Sequence, residues 1–244
     1  MIYVVINHYI LNKYIEDIAI KCIKSFKKYD CKIVSVDDRS PIRSDEIRLL
    51  SDVWIPLEKN VGFAGSANKG IQWVLDNDTE CWIVYANNDI EVQGDWIGEA
   101  ERCFKDFEAD MVGGLGYRIK DFPIRNDMVV SEGGRFQDWM FPGGFYITTD
   151  SFFRKIGVYD EGYRHGGVED IDLFWRAKKV GKRLIMTPRI QYFHVEGATR
   201  YSETQKDIQS KAITKNEAYF VQKWGFDPIK ELNSKILQFN PINP

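Results

Sequence analysis

The chain has 244 residues, 44% of them hydrophobic, enough to bury a core in one large α/β domain or two small ones and too much for a disordered chain. A formal net charge of −3 excludes an overall basic surface, and with it a protein whose main affinity is for nucleic-acid backbone. Cys22, Cys31, Cys81 and Cys103 show no CxxC or Cys/His spacing, so they read as reduced core thiols rather than zinc ligands.

Met1 runs straight into an apolar, strand-like segment over 2–6 with no basic n-region, so no secretory signal is expected. No stretch approaches about 18 uninterrupted apolar residues, so no transmembrane segment is expected and the chain is read as cytoplasmic. From that first strand onward, strand and helix patterns alternate, which implies parallel strands joined by crossover helices. Residues 13–28 form an amphipathic helix, with Ile15, Ile18, Ala19, Cys22, Ile23 and Phe26 at helical spacing. Residues 32–36 are the second strand, ending on Asp37-Asp38-Arg39-Ser40-Pro41; a short helix over 44–50 and a third strand over 53–57 follow.

A glycine-rich loop over 60–70, containing Asn60, Gly62 and Asn68, runs into a helix that continues to about residue 75. Its glycine spacing is neither that of a dinucleotide-binding turn nor that of a P-loop. Small residues there let a backbone approach a ligand closely, and equally let a helix pack tightly against the sheet. Residues 81–85 are a buried strand, and Asn87-Asn88-Asp89 lies just beyond its end. In an open α/β sheet ligands bind beyond the carboxyl ends of the strands, so Asp89 is placed to hold a divalent metal and, through it, a diphosphate. The same three residues are also good turn chemistry.

A helix over 95–107 and a strand over 111–117 come next. Residues 118–142 then lose all periodicity and end on Trp139, Met140 and Phe141, which reads as a binding loop or lid. A strand over 143–149 and a helix over 150–156 follow. The second acidic cluster is Glu169-Asp170-Ile171-Asp172. A helix starting near Glu169 buries Ile171, Phe174 and Trp175, puts Glu169 and Asp172 on another face and leaves Asp170 at the first turn. Helix-dipole complementarity and an Asp172–Arg176 pair account for these acids without chemistry. A strand over 184–187 leads to Pro188, and His194 follows among aromatics, where a lone histidine is more often structural than a ligand. Residues 204–224 make a last helix, with Thr204 and Asp207 as a capping pair. The tail over 225–244 has no clear period. With no repeat or linker, 1–224 reads as a single domain.

Taken in order, these elements resemble the family 2 glycosyltransferases of GT-A fold over about residues 2–200. The resemblance rests on the first strand, Val36-Asp37-Asp38-Arg39-Ser40, the 60–70 loop, Asn87-Asn88-Asp89, Gly143-Gly144, Val158-Tyr159-Asp160-Glu161, Glu169-Asp170-Ile171-Asp172-Leu173 and His194. It implies a Rossmann-like α/β fold with a mixed, mostly parallel sheet flanked by helices. A nucleotide-binding half would cover about 1–90 and an acceptor-binding half about 91–200. It implies that Asp37 and Asp38 contact the nucleoside and that Asn60, Gly62, Asn68, Asn87 and Asn88 belong to the donor site. Asp89 and His194 would hold Mn2+ or Mg2+, although Asn87 stands where the family's Asp-x-Asp motif has its first carboxylate.

Asp170 matches the family's catalytic base and Glu169 its acidic neighbour, while Trp139, Gly143 and Gly144 fall on the acceptor side. The implied reaction is inverting transfer from a nucleotide sugar, UDP-linked or related, to a hydroxyl acceptor. That acceptor would be a glycan, a lipid-linked sugar, a protein or a modified nucleobase. The chemistry suits the residues, since oxygen ligands hold a hard cation against a departing diphosphate and a carboxylate takes a hydroxyl proton. Two other readings stay open: a nucleotidyltransferase, and a sugar-nucleotide or glycan binding module that has lost turnover.

Overall fold

The computed structural model describes residues 1–118, 135–137, 143–195, 197–199, 202, 205–228, 230 and 241–242. Its strands are β1 (Ile2–His8), β2 (Lys32–Asp37), β3 (Val53–Pro56), β4 (Trp82–Asn87), β5 (Ile90–Gln93), β6 (Met111–Arg118), β7 (Arg135–Gln137), β8 (Phe145–Thr149), β9 (Leu184–His194) and β10 (Pro241–Ile242). The helices are α1 (Lys13–Phe26), α2 (Asp45–Leu50), α3 (Gly62–Asn77), α4 (Trp96–Asp106), α5 (Asp150–Ile156), α6 (Glu169–Lys179) and α7 (Lys206–Trp224).

Period-two alternation along the strands builds two separate cores. Tyr3, Val5, Ile83, Tyr85, Met111 and Tyr146 face one side, where α3, α5, α6 and α7 cover them through residues such as Ile71, Phe152, Phe174 and Phe220. Val4, Ile6, Val84, Ala86, Val112, Phe145 and Ile147 face the other, where α1, α2 and α4 supply Ile15, Phe26, Ile47 and Trp96. The sheet is thus the middle layer of three, as expected for strands joined by crossover helices.

The strand order is β10-β7-β9-β6-β8-β4-β1-β2-β3, with β5 pairing β9 off this path. Strands β3, β2, β1 and β4 are parallel, and β6 runs parallel to β9; β8 is antiparallel to both β4 and β6. Two strands depart from the sequence expectation, and both shape the site. β9 does not stop before Pro188 but runs eleven residues, with a register shift against β6 between Gly114 and Leu115. An irregularity of this kind is where a sheet accommodates proline. The segment after Asp89, to which the sequence pattern assigns no element, is β5, which pairs antiparallel with the extension of β9.

Helix α3 starts at Gly62 itself, so most of the glycine-rich stretch is helix rather than loop. A Cβ on Gly70 would collide with the Val5 side chain, so tight packing on the sheet accounts for that glycine. The tail residues of β10 pair antiparallel with β7. Thr204, half of the expected capping pair, lies outside the described residues; the described cap of α7 is Gln205.

His8, at the end of β1, is 1% exposed; its Nε2 lies 3.1 Å from Ser35 Oγ while Nδ1 is buried without a hydrogen-bond partner among the described residues. Burial pushes its pKa down to about 3. Between that value and the ordinary histidine range near 6.5, the unfolded chain binds a proton at His8 that the folded chain does not. Stability therefore falls as pH drops from about 6.5 toward 3, by an amount of the order of a few kcal/mol. Asp38 acts with opposite sign, because burial raises its pKa to about 6 and the folded chain then holds the extra proton between about pH 4 and 6. A urea midpoint that drops from pH 7 to pH 5 in the parent, and drops less in His8→Leu, is the expected result; equal drops would remove His8 as the cause.

Candidate active site

The site lies beyond the ends of β4 and β9, where β5 ties them together. The β5–β9 register sets Ile90 opposite His194, and Val195 N donates to Asp89 O at 3.1 Å. Asp89, just before β5, therefore meets His194, and His194 Nε2 lies 3.1 Å from Asp89 Oδ1. That separation suits an ion pair, yet neither atom completes a hydrogen bond, and both are buried without a partner among the described residues. A cation with bonds of about 2.1 Å at right angles sets neighbouring ligands about 3.0 Å apart, so the pair matches one edge of an octahedral site. A carboxylate oxygen and an imidazole nitrogen are also a donor set suited to Mn2+. Among the described residues no group of three or more Asp, Glu, His or Cys side chains gathers here.

Asn87 occupies the first position of the expected metal motif, but its groups are turned to protein. Its N–H donates to Gly144 O at 2.8 Å, and its Oδ1 accepts from the buried Tyr85 hydroxyl at 3.3 Å. Asn88 lies in the turn that leads into β5.

Gly143 and Gly144, which precede β8, separate two parts of the site. A Cβ on Gly144 would sit 3.0 Å from Asn87 Nδ2 and 3.1 Å from His194 Cε1, and one on Gly143 would overlap the Asp170 carboxylate. Asp170 is thus brought within two residues' breadth of the Asp89–His194 pair. Its Oδ1 accepts from Ile171 N at 2.9 Å.

The approach to α6 is strained. His165, Gly166, Gly167 and Val168 all have positive φ, from 63° to 100°. For the two non-glycine residues, Val168 above all because it is β-branched, this costs of order 1–3 kcal/mol each. Side chains on Gly166 and Gly167 would meet Phe63 of α3 and Ile213 of α7. Asn216 of α7, buried and 4% exposed, holds the run: its Nδ2 donates toward Arg164 O, Gly166 O and Gly167 O, and its Oδ1 accepts from Arg164 N. Sequence reasoning missed Asn216 because one polar residue inside a 19-residue helix carries no local mark of what it binds 50 residues away.

The acidic cluster divides by role. Glu169 and Asp170 stand at the start of α6, directly after the strained run, with Glu169 only 4% exposed. Asp172 is wholly buried and accepts from Arg176 Nε at 2.8 Å, Trp224 Nε1 at 2.7 Å and Tyr163 Oη at 3.1 Å. The structural account foreseen for these acids therefore holds for Asp172.

At the end of β2, Asp37 accepts from Ser40 N at 3.0 Å. Asp38 reaches across to α3, where Val61 N and Gly62 N donate to its two carboxylate oxygens at 2.7 and 3.0 Å. Val61 offers no side-chain cap, so Asp38 caps α3 from a distance, an arrangement of the kind worth about 1 kcal/mol. Asn60 Nδ2 donates to Asp38 O at 3.0 Å, joining the two loops further. Asn68, expected in the donor site, is instead a brace: its Nδ2 donates to Tyr159 O and Glu161 Oε1, and its Oδ1 accepts from Tyr159 N. A buried amide so committed has little left for a nucleotide. Trp139, the expected acceptor residue, lies outside the described residues.

Comparison with known proteins places the fold in a family. The profile of a family described as "Glycosyl transferase family 2" matches residues 9–165, ending just before the acidic cluster. A search of curated sequences returned no match. Among solved structures, residues 1–349 of S. aureus TarS share a TM-score of 0.62 at 14% identity, over 92% of this chain and 74% of that one. The mannosyltransferase PcManGT from Pyrobaculum calidifontis, solved with GDP-Man and Mn2+, gives 0.64 at 14% identity over 97% and 70%. GalNAc-T7, solved with UDP, GalNAc and Mn2+, gives 0.62 at 17% identity over 91% and 50%. At such identities the likeness is one of fold.

Proposed function

This chain belongs to glycosyl transferase family 2 and has the GT-A fold, and on that premise we propose that it moves a sugar from a nucleoside-diphosphate donor to an acceptor hydroxyl with inversion. The observation that carries the reading is the Asp89–His194 pair, two buried atoms converging at 3.1 Å with Asp170 just across Gly143-Gly144. The fold neighbours solved with UDP, UDP-GlcNAc or GDP-Man, two of them with Mn2+, support the donor class.

In this reading Asp89 and His194 hold Mn2+ or Mg2+. The cation supplies Lewis-acid stabilisation of the charge that develops on the departing diphosphate. Asp37 and the loop that Asp38 pins to α3 contact the nucleoside, while Asn87 and Asn88 border the diphosphate. Asp170 takes the proton of the attacking hydroxyl. Attack opposite the leaving group inverts the anomeric centre in one displacement, with no sugar held covalently on the chain. Glu169 orients the acceptor or the base, and Gly143 and Gly144 keep the reaction space open between base and cation. No helix among the described residues is long and apolar enough to cross a membrane.

The test is a nucleotide and nucleotide-sugar panel with Mn2+, read as thermal stabilisation. A ligand at 100 times its Kd adds about 2.7 kcal/mol, a shift of several degrees. UDP- or GDP-linked ligands should stabilise in a Mn2+-dependent way, and slow donor turnover should release nucleoside diphosphate; pyrophosphate release would mark a nucleotidyltransferase, and stabilisation by no nucleotide would defeat the reading. A second result is expected at the glycines. Gly143→Ala displaces Asp170, lowering kcat while Mn2+–UDP affinity is kept, whereas Gly144→Ala presses on His194 and weakens Mn2+–UDP binding. Equal effects of the two on both quantities would contradict the spacer role.

A further inference from the structure

Between the 162–165 turn and α7 runs an open groove of ≈ 440 Å³, lined by Arg164, His165, Lys211, Lys215, Asn216 and Tyr219 among others. Among the described residues, no acidic side chain lines it. Arg164, Lys211 and Lys215 are exposed and form no ion pair with any described residue. This is not the general state of α7, because Lys223 on the same helix is neutralised by Asp160 at 2.6 Å and Asp172 at 2.8 Å. The acids that precede Gly162 in the chain are likewise committed: Asp160 to Lys223 and Tyr219, and Glu161 to Asn68. Three cations and an imidazole therefore line one concavity, and none of the three cations is ion-paired to a described residue.

The wall is also held in place before any ligand arrives. Asn216 clamps the backbone at Arg164, Gly166 and Gly167, and the same run is confined by Phe63 and Ile213. A preformed cationic wall loses little ordering entropy on binding. The groove is connected to the chemistry through that run. Contacts lead from the Asp89–His194 pair through Gly144 and Gly143 to Asp170, and the chain then leads back from Asp170 to His165 at the groove. Five residues span at most about 18 Å, which an extended acceptor can bridge.

We propose that this groove binds an anionic group, a phosphate or carboxylate, carried by the acceptor beyond its reacting hydroxyl. The proposal rests on the glycosyltransferase reading for the word acceptor, and the test separates the two. The full-length chain with saturating UDP and Mn2+ is titrated with glucose 6-phosphate, with glucose and with inorganic phosphate, and followed by amide NMR and calorimetry. Chloride matches the ionic strength throughout. The charge-reversed variant K211E/K215E is run in parallel, its substitutions lying on exposed positions of α7.

Glucose 6-phosphate is expected to bind more tightly than inorganic phosphate and to shift the amides of Arg164, His165, Lys211 and Lys215, with glucose shifting none of them. The double variant should weaken sugar-phosphate binding by roughly tenfold or more, since two attractive charges become repulsive. Its UDP–Mn2+ affinity and thermal midpoint should match the parent's. Undiminished sugar-phosphate binding in the variant overturns the groove, and inorganic phosphate binding as tightly as the sugar phosphate overturns its assignment to the acceptor. Failure of the parent to bind UDP–Mn2+ at all is a failure of the glycosyltransferase reading instead, and leaves the anion titration to be read alone.

Discussion

Asp170→Asn lowers turnover by about 10²–10⁴-fold, the span that a positioned general base contributes, and leaves UDP–Mn2+ affinity unchanged. The substitution suits this site because the amide is nearly the same shape as the carboxylate. It can still accept from Ile171 N and still fits against Gly143, where even a methyl group has no room. What it loses is the ability to take a proton. Asp170→Ala would be harder to read, since it removes a packing partner of Gly143 together with the base. The expected result is thus a loss of kcat with donor affinity and thermal midpoint preserved, measured on one preparation. An unchanged kcat removes Asp170 from the chemistry and turns attention to Glu169, its buried neighbour at the start of α6.

Asp89→Ala should cost at least the 10–100-fold in metal affinity that loss of a mere supporting partner typically brings. The proper measurement is Mn2+ titration in the presence of UDP, because in the proposed reading the donor diphosphate shares the cation with Asp89 and His194. His194→Ala should weaken Mn2+ in the same direction, and the double variant should add little to either single one, since the two side chains act as one site. A different outcome follows if Asp89 and His194 form only a structural ion pair. Both variants would then lower the thermal midpoint and leave the Mn2+ dependence of UDP binding as it was, which would overturn the metal assignment. The 3.1 Å approach without a completed hydrogen bond is the reason to expect the first outcome.

Much of the fold was legible because its causes are local. The near-continuous apolar runs of residues 2–6, 32–36 and 81–85 mark strands buried on both faces, and the spacing of Ile15, Ile18, Cys22 and Phe26 marks one face of α1. Helix α6 begins at Glu169 as the pattern implied, with three acids in its first turn. The reading failed where a residue's partner is far along the chain. Asn68 looked like a ligand-facing amide in a glycine-rich loop, but its partners are 91 and 93 residues away. Glycine at position 70 looked like a loop residue and is a contact point of helix on sheet.

The sequence by itself determined which residues of this protein are available for chemistry and on which elements they stand: acids beyond the ends of β2 and β4, and acids in the first turn of α6. Strand ends, helix starts and turn residues follow from local sterics, hydrogen bonding and apolar periodicity, all of which act within a few residues. Tertiary structure alone decided which of them meet. The register of β5 on β9 brings Asp89 to His194, two glycines set the gap to Asp170, Asn216 holds the strained run before Glu169, and Asp172 is withdrawn into a buried network. Those outcomes depend on strand register and on how each buried polar group finds its partner, and both are settled only when segments distant in sequence pack together.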